Sequence, residues 1–150
     1  MTHMKKNILV VDDSALMRRV MCDIINSDSK FQATDYCRDG LEAYEKLKHT
    51  SYDGVVLDVN MPRMDGLQLL EKLQKEGIRA NVVMVSTLTD SREADVTILA
   101  MERGAIDFVA KPTNIIEAKG EAFKRQLLGV LNAVLATQKA AESVRPAVKT

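Results

Sequence analysis

Four short apolar runs in this sequence end on residues that could manage a phosphoryl group. Ile8-Leu9-Val10-Val11 runs into Asp12-Asp13, and Val55-Val56-Leu57 into Asp58. Val82-Val83-Met84-Val85 stops at Ser86, and the stretch from Ala105 to Ala110 stops at Lys111. Three carboxylates about 5 Å apart repel by roughly 3 kcal/mol per pair at an effective dielectric near 20. Over three pairs that is about 10 kcal/mol, comparable to the whole stability of a domain. Positive charge must offset it. Lys111 supplies one unit. A hard divalent cation on oxygen ligands supplies two, and Mg²⁺ (or Mn²⁺) suits a site of few carboxylates completed by phosphate and water. Asp58 can then attack phosphorus, as carboxylates do in aspartyl-phosphate chemistry. Lys111 and the metal would neutralise the equatorial oxygens of the transition state, and Ser86 could donate a hydrogen bond to the attached group. Each residue alone has a plainer reading. Asp12 would cap a helix, Ser86 would sit in a turn, Lys111 would be solvated and Phe108 would be core. Their convergence carries the inference.

Convergence requires a particular scaffold. Between the apolar runs lie stretches with helical spacing: Leu16, Val20, Ile24 and Ile25; Leu41, Tyr44 and Leu47; Leu67, Leu70 and Leu73; Ala94, Ile98 and Met101. Phe31 to Cys37 forms a weaker strand with no comparable reactive end. Gly77 and Gly104 stop the third and fourth helices. A long last helix is expected from about Ile116 to about Thr137, with Phe123, Leu127, Val130, Leu131 and Val134 on its apolar face. These are five βα units. Apolar runs without alternation mean strands buried on both faces, hence an α/β fold with a parallel sheet and helices on each side. Ligands in such sheets bind at the carboxyl ends of the strands. If strand two is an edge, the ends of strands one, three, four and five lie side by side. Lys111-Pro112 is expected to be cis, turning the chain so that the lysine points back into the crevice.

Composition narrows the function classes. Hydrophobic residues make up 46% of 150, an ordinary globular share. Residues 1–138 read as one domain and residues 139–150 as a tail or the start of a linker. Basic and acidic residues balance at 21 each, against a nucleic-acid binder, and no helix-turn-helix follows the last unit. No apolar run approaches the roughly 20 residues that span a bilayer, and no secretion signal precedes the first strand. Cys22 and Cys37 lack metal-ligand spacing and read as free thiols of a reducing cytoplasm. No GxxxxGKS/T loop, GxGxxG turn, GxSxG elbow or HExxH helix is present. An Asp-nucleophile phosphatase would want a second acid two residues after the nucleophile, where this chain has Asn60.

The stretches ILVVDDSALMRRV, GVVLDVNMPRMDGLQLL, VVMVSTLTD and GAIDFVAKP resemble the receiver domains of two-component response regulators. That resemblance implies a flavodoxin-like, doubly wound sheet of five parallel strands in the order 2-1-3-4-5. It implies that Asp12 and Asp13 are the acidic pair, Asp58 the phosphoacceptor, Ser86 the switch hydroxyl, Phe108 the switch aromatic and Lys111 the phosphate-sensing lysine. Asp13, Asp58 and the Asn60 backbone carbonyl would ligate the metal, with Asp12 acting through water. The donor would be a phosphohistidine on a histidine kinase. Within the family the motifs are most similar to the regulatory domain of chemotaxis methylesterases, which implies the chemotaxis kinase as donor and a methylesterase domain as effector. At Asn60 the chain departs from that subgroup, which often has an acid there. The signal would leave through the fourth helix, fifth strand and fifth helix. The alternative within the family is a free-standing chemotaxis-type adaptor.

Overall fold

The computed structural model describes residues 5–87 and 93–149, with side chains for 5–87 and 95–135. Leu88, Thr89 and Asp90, the end of the motif that begins in the fourth strand, lie outside the described residues, as does Ser91. Uninterrupted β-branched runs become strands with no solvent face: β1 (Lys6–Val11), β3 (Gly54–Leu57) and β4 (Val82–Ser86). The weaker β2 (Phe31–Cys37) and β5 (Asp107–Ala110) form the edges. All pairings are parallel and the order is β2-β1-β3-β4-β5, as expected. β5 is shorter than the sequence suggests. Gly104, with φ 105°, and Ala105, whose N–H donates to the Ala100 carbonyl, are used to close the preceding helix.

Successive strand residues face opposite sides, so each strand feeds two cores. Ile8, Val10, Val56 and Val85 pack with Val20 and Ile24 of α1 (Ala15–Asn26) and Phe123, Leu127 and Leu131 of α6 (Glu121–Lys149). Leu9, Val11, Val55 and Leu57 pack with α2 (Gly40–His49), α3 (Gly66–Lys75) and α4 (Glu93–Glu102).

Three expectations are corrected. The last helix is not continuous: α5 (Ile115–Ala118), capped by the Asn114 side chain, stops at Lys119. Gly120, a poor helix former, separates it from α6, which then runs past Thr137 to Lys149 through an alanine-rich stretch. The Lys111–Pro112 peptide is trans, since no peptide among the described residues is cis. No bend is needed, because the Lys111 N–H continues the ladder to the Ser86 carbonyl (2.9 Å) and the lysine stem alone reaches the crevice. Leu16, Leu41, Ile98 and Met101 are exposed rather than core. In α1 the buried stripe runs through Val20, Met21, Ile24 and Ile25, below Leu16. Among the described side chains of α4 only Ala100 is buried.

Candidate functional site

Backbone hydrogen bonds bring the informative strand ends level. The Asp12 N–H donates to the Cys37 carbonyl (3.1 Å) and the Asp58 N–H to the Val11 carbonyl (2.9 Å). β1 and β3 are the pair at which the strand order reverses, the position where open α/β sheets form a binding crevice.

Asp12 is buried, and both its carboxylate oxygens are engaged. The Ser14 N–H donates to Oδ1 (2.9 Å) and the Lys111 Nζ to Oδ2 (2.8 Å). The Arg18 guanidinium donates to the Asp12 carbonyl (2.9 Å), tying the first turn of α1 to the strand end. Lys111 also donates to Asp58 Oδ2 (3.2 Å), so one ammonium bridges two buried carboxylates. Burial, then the Asp12 charge, push the Asp58 carboxyl up to about 6, against the pull of Lys111. Burial works against the Lys111 charge, but Asp58 and Asp12 outweigh it and raise its pKa above the ordinary lysine value. The ammonium is therefore retained.

Asp13 is exposed, so the expected three-way repulsion falls mainly on the Asp12–Asp58 pair that Lys111 bridges. Asp12, Asp13 and Asp58 each offer one oxygen within 4.8 Å of the others. An all-oxygen, anionic donor set of this kind fits a hard divalent cation such as Mg²⁺ or Mn²⁺. Asn60 follows, exposed, at the start of the loop to α3.

Ser86 is 1% exposed, and its Oγ has no hydrogen-bond partner among the described residues. It lies near enough to Asp58 to ease the carboxylate charge slightly without forming a bond to it. A buried hydroxyl without a partner is uncommon and points to an acceptor that arrives later. Phe108 is half-buried against the α2–α3–α4 core.

One residue escaped sequence reasoning. Asp39, two positions beyond β2, is buried and accepts N–H bonds from Arg63 Nε (2.9 Å) and Nη2, besides capping α2 through the Glu42 N–H (2.9 Å). The Asp39-Gly40 pair reads as an ordinary turn and cap, and nothing in the spacing announces Arg63 as its partner.

Comparison with known proteins resolves the family. Residues 8–120 match the response regulator receiver domain. The chain belongs to that family. This receiver is 45% identical over 124 residues to a protein-glutamate methylesterase/protein-glutamine glutaminase of Pyrococcus horikoshii, covering 83% of this chain and 33% of that protein. It is 44% identical over 147 residues to the protein of the same name from Shigella boydii, covering 97% of this chain and 42% of that protein. The chain thus spans well under half the length of these curated relatives. Among solved structures it superposes on the response regulator domain of Thermotoga maritima CheB with a TM-score of 0.76 at 34% identity, covering 89% of this chain and 98% of that one. A chain of the CheX–CheY–BeF3–Mg²⁺ complex of Borrelia burgdorferi matches with a TM-score of 0.71 at 29% identity, covering 86% and 88%. The likeness to the regulatory domain of chemotaxis methylesterases, expected from the motifs, is borne out by these relatives.

Proposed function

We propose that this receiver accepts a phosphoryl group on Asp58 from a phosphohistidine of the chemotaxis histidine kinase and, once modified, changes the activity of an effector. The observation that carries the reading is the Asp12–Lys111–Asp58 bridge beside the unpartnered hydroxyl of Ser86. A carboxylate oxygen of Asp58 attacks phosphorus. The P–N bond to the donor imidazole breaks, and its electron pair leaves with the imidazole nitrogen. Lys111 stays charged and carries its ammonium to the new phosphoryl oxygens. Ser86 donates its hydroxyl to one of them and so gains its missing partner. Asp13, Asp58 and the Asn60 carbonyl would hold a Mg²⁺ or Mn²⁺, with Asp12 acting through water, and the cation would supply the remaining positive charge. The engagement of both Asp12 oxygens by Ser14 and Lys111 supports that indirect role.

The reading extends to the output. Drawing Ser86 toward the phosphoryl group would open space into which the half-buried Phe108 ring can turn. The α4–β5–α6 face would report the change. Ile98 is 56% exposed, and Met101 and Ile106 are exposed on or beside the same elements, the surface expected of a covered face. The effector is a methylesterase domain, with residues 139–150 leading toward it; the length of the curated relatives supports this. Action in the cytoplasm belongs to the same proposal. No helix among the described residues is long and apolar enough to cross a membrane.

Incubation with a small acyl phosphate and Mg²⁺, followed by borohydride trapping and mass spectrometry, tests the first step. One label on Asp58 is expected. Label persisting in Asp58→Asn would defeat the assignment.

A further inference from the structure

Asp39 is a charged group buried on the far side of the sheet from Lys111, at the end of edge strand β2. Besides the α2 cap through the Glu42 N–H, what it and its neighbour hold lies in one place. Arg63 gives Asp39 Oδ2 two N–H bonds, and the Gly40 N–H donates to the Met64 carbonyl at 2.9 Å. A Cβ on Gly40 would stand 2.2 Å from that carbonyl oxygen, so the glycine permits the approach. Arg63 itself has φ 66°, a left-handed conformation that a side chain disfavours and that persists only where surroundings impose it.

The loop so gripped is the one that follows Asp58. Its root is fixed to the sheet by the Asp58 N–H on the Val11 carbonyl, and its far end by the Gly66 N–H on the Val59 carbonyl (2.8 Å). Asn60 lies between Val59 and the gripped Arg63–Met64 pair, followed by Met61, packed on the α2–α3–α4 core, and Pro62, whose carbonyl accepts from the Met64 N–H (2.7 Å). With so short a span, the direction of the Asn60 carbonyl is set by where the two ends are held. We infer that Asp39 and Arg63 are positioning residues for the cation site: they hold the 58–66 loop so that its backbone can ligate, and they set cation affinity without touching the cation. This rests on the proposed function, since it presumes a cation at Asp13, Asp58 and the Asn60 carbonyl. A plain capping role for Asp39 makes a different forecast. Asparagine caps as well as aspartate, so Asp39→Asn keeps the cap and loses only the charge that Arg63 needs.

Calorimetric titration of Mg²⁺ into the metal-free chain tests the inference, with melting temperatures measured alongside. Arg63→Ala and Asp39→Asn are each expected to weaken Mg²⁺ binding about tenfold, the usual consequence of removing a group that orients a ligand. Arg63→Lys should recover part of the loss, and the double variant should bind no worse than either single one. Tyr44→Phe, which removes the 2.5 Å bond to Glu76 between α2 and the end of α3, serves as the structural control and should leave the affinity unchanged. Unchanged affinity in Arg63→Ala, or equal weakening in Tyr44→Phe, would overturn the latch alone. A wild-type chain that binds no Mg²⁺ would overturn both the latch and the function on which it rests.

Discussion

At the scale of single residues the site is governed by two buried carboxylates and one ammonium. In the metal-free domain the Asp58 carboxyl is pushed from 3.8 up to about 6, so the folded state holds that proton more tightly than the unfolded chain does. Stability contributed by this group is therefore present at low pH and is lost as pH rises through the window between those values. The span is about two pH units, or about 3 kcal/mol at about 1.4 kcal/mol per unit. In EDTA, the stability of wild type relative to Asp58→Asn should fall by that order between about pH 4 and pH 7 and then level off. Denaturant melts of both proteins across this range measure it; parallel curves would show that Lys111 already compensates the charge. Asp12, Asp58, Ser86 and Lys111 were legible in the sequence because each closes an apolar run, and a buried parallel strand has only one end where ligands bind. Asp39 was not. It follows a strand of mixed polarity, and its partner lies 24 residues away in a loop, a pairing fixed by tertiary contact rather than by spacing.

At the scale of elements, two glycines of the same chain should behave oppositely. A Cβ on Gly66, at the start of α3, would lie 2.3 Å from the Asp58 carbonyl oxygen, whereas one on Gly129, within α6, meets nothing within 4 Å. Gly66→Ala should cost about 1–3 kcal/mol by forcing α3 off the strand end. Gly129→Ala should add about 0.5–1 kcal/mol by restricting the unfolded chain. Thermal melts decide both, and a tolerated Gly66→Ala would mean that α3 shifts freely. The same packing explains which element predictions held. The strand order came with the family resemblance, while the faces of α1 (Leu16 apart), α3 and α6 follow from periodicity, because one stripe of each helix meets the sheet. In α4 polar residues (Glu93, Asp95, Thr97, Glu102) are mixed among the apolar ones, so its apolar residues gather on no single side; of the expected stripe, Ile98 and Met101 face solvent. The break at Gly120 was hidden because Ile115 and Phe123 both pack on the α1–α6 side of the sheet, so an apolar pattern continues across it.

For the whole molecule, protection should be graded from the centre outward. β1 is buried from Ile8 to Val11 and β3 along its length, while α4 commits little of its described surface to the core. Hydrogen exchange should be slowest in β1 and β3 and faster in α4 than in α1. In the proposed switch, a beryllofluoride mimic should then slow exchange in α4 and β5, and Ser86→Ala should remove most of that response while Asp58 still takes the label. Changes confined to the strand ends would show that the signal does not travel by this route. The unbonded Ser86 hydroxyl has a consequence for the resting protein itself. Sealing a hydroxyl away from water without a partner costs at most about 1–3 kcal/mol, and the nearby Asp58 carboxylate recovers part of it. In a two-state ratio the full cost is a factor between about five and about 150. The unmodified form is thus held less firmly than its packing alone would hold it, which lowers the threshold at which a modest input tips the balance. Ser86→Ala loses this bias at both ends: it should melt higher than wild type in EDTA, and it should be a duller switch.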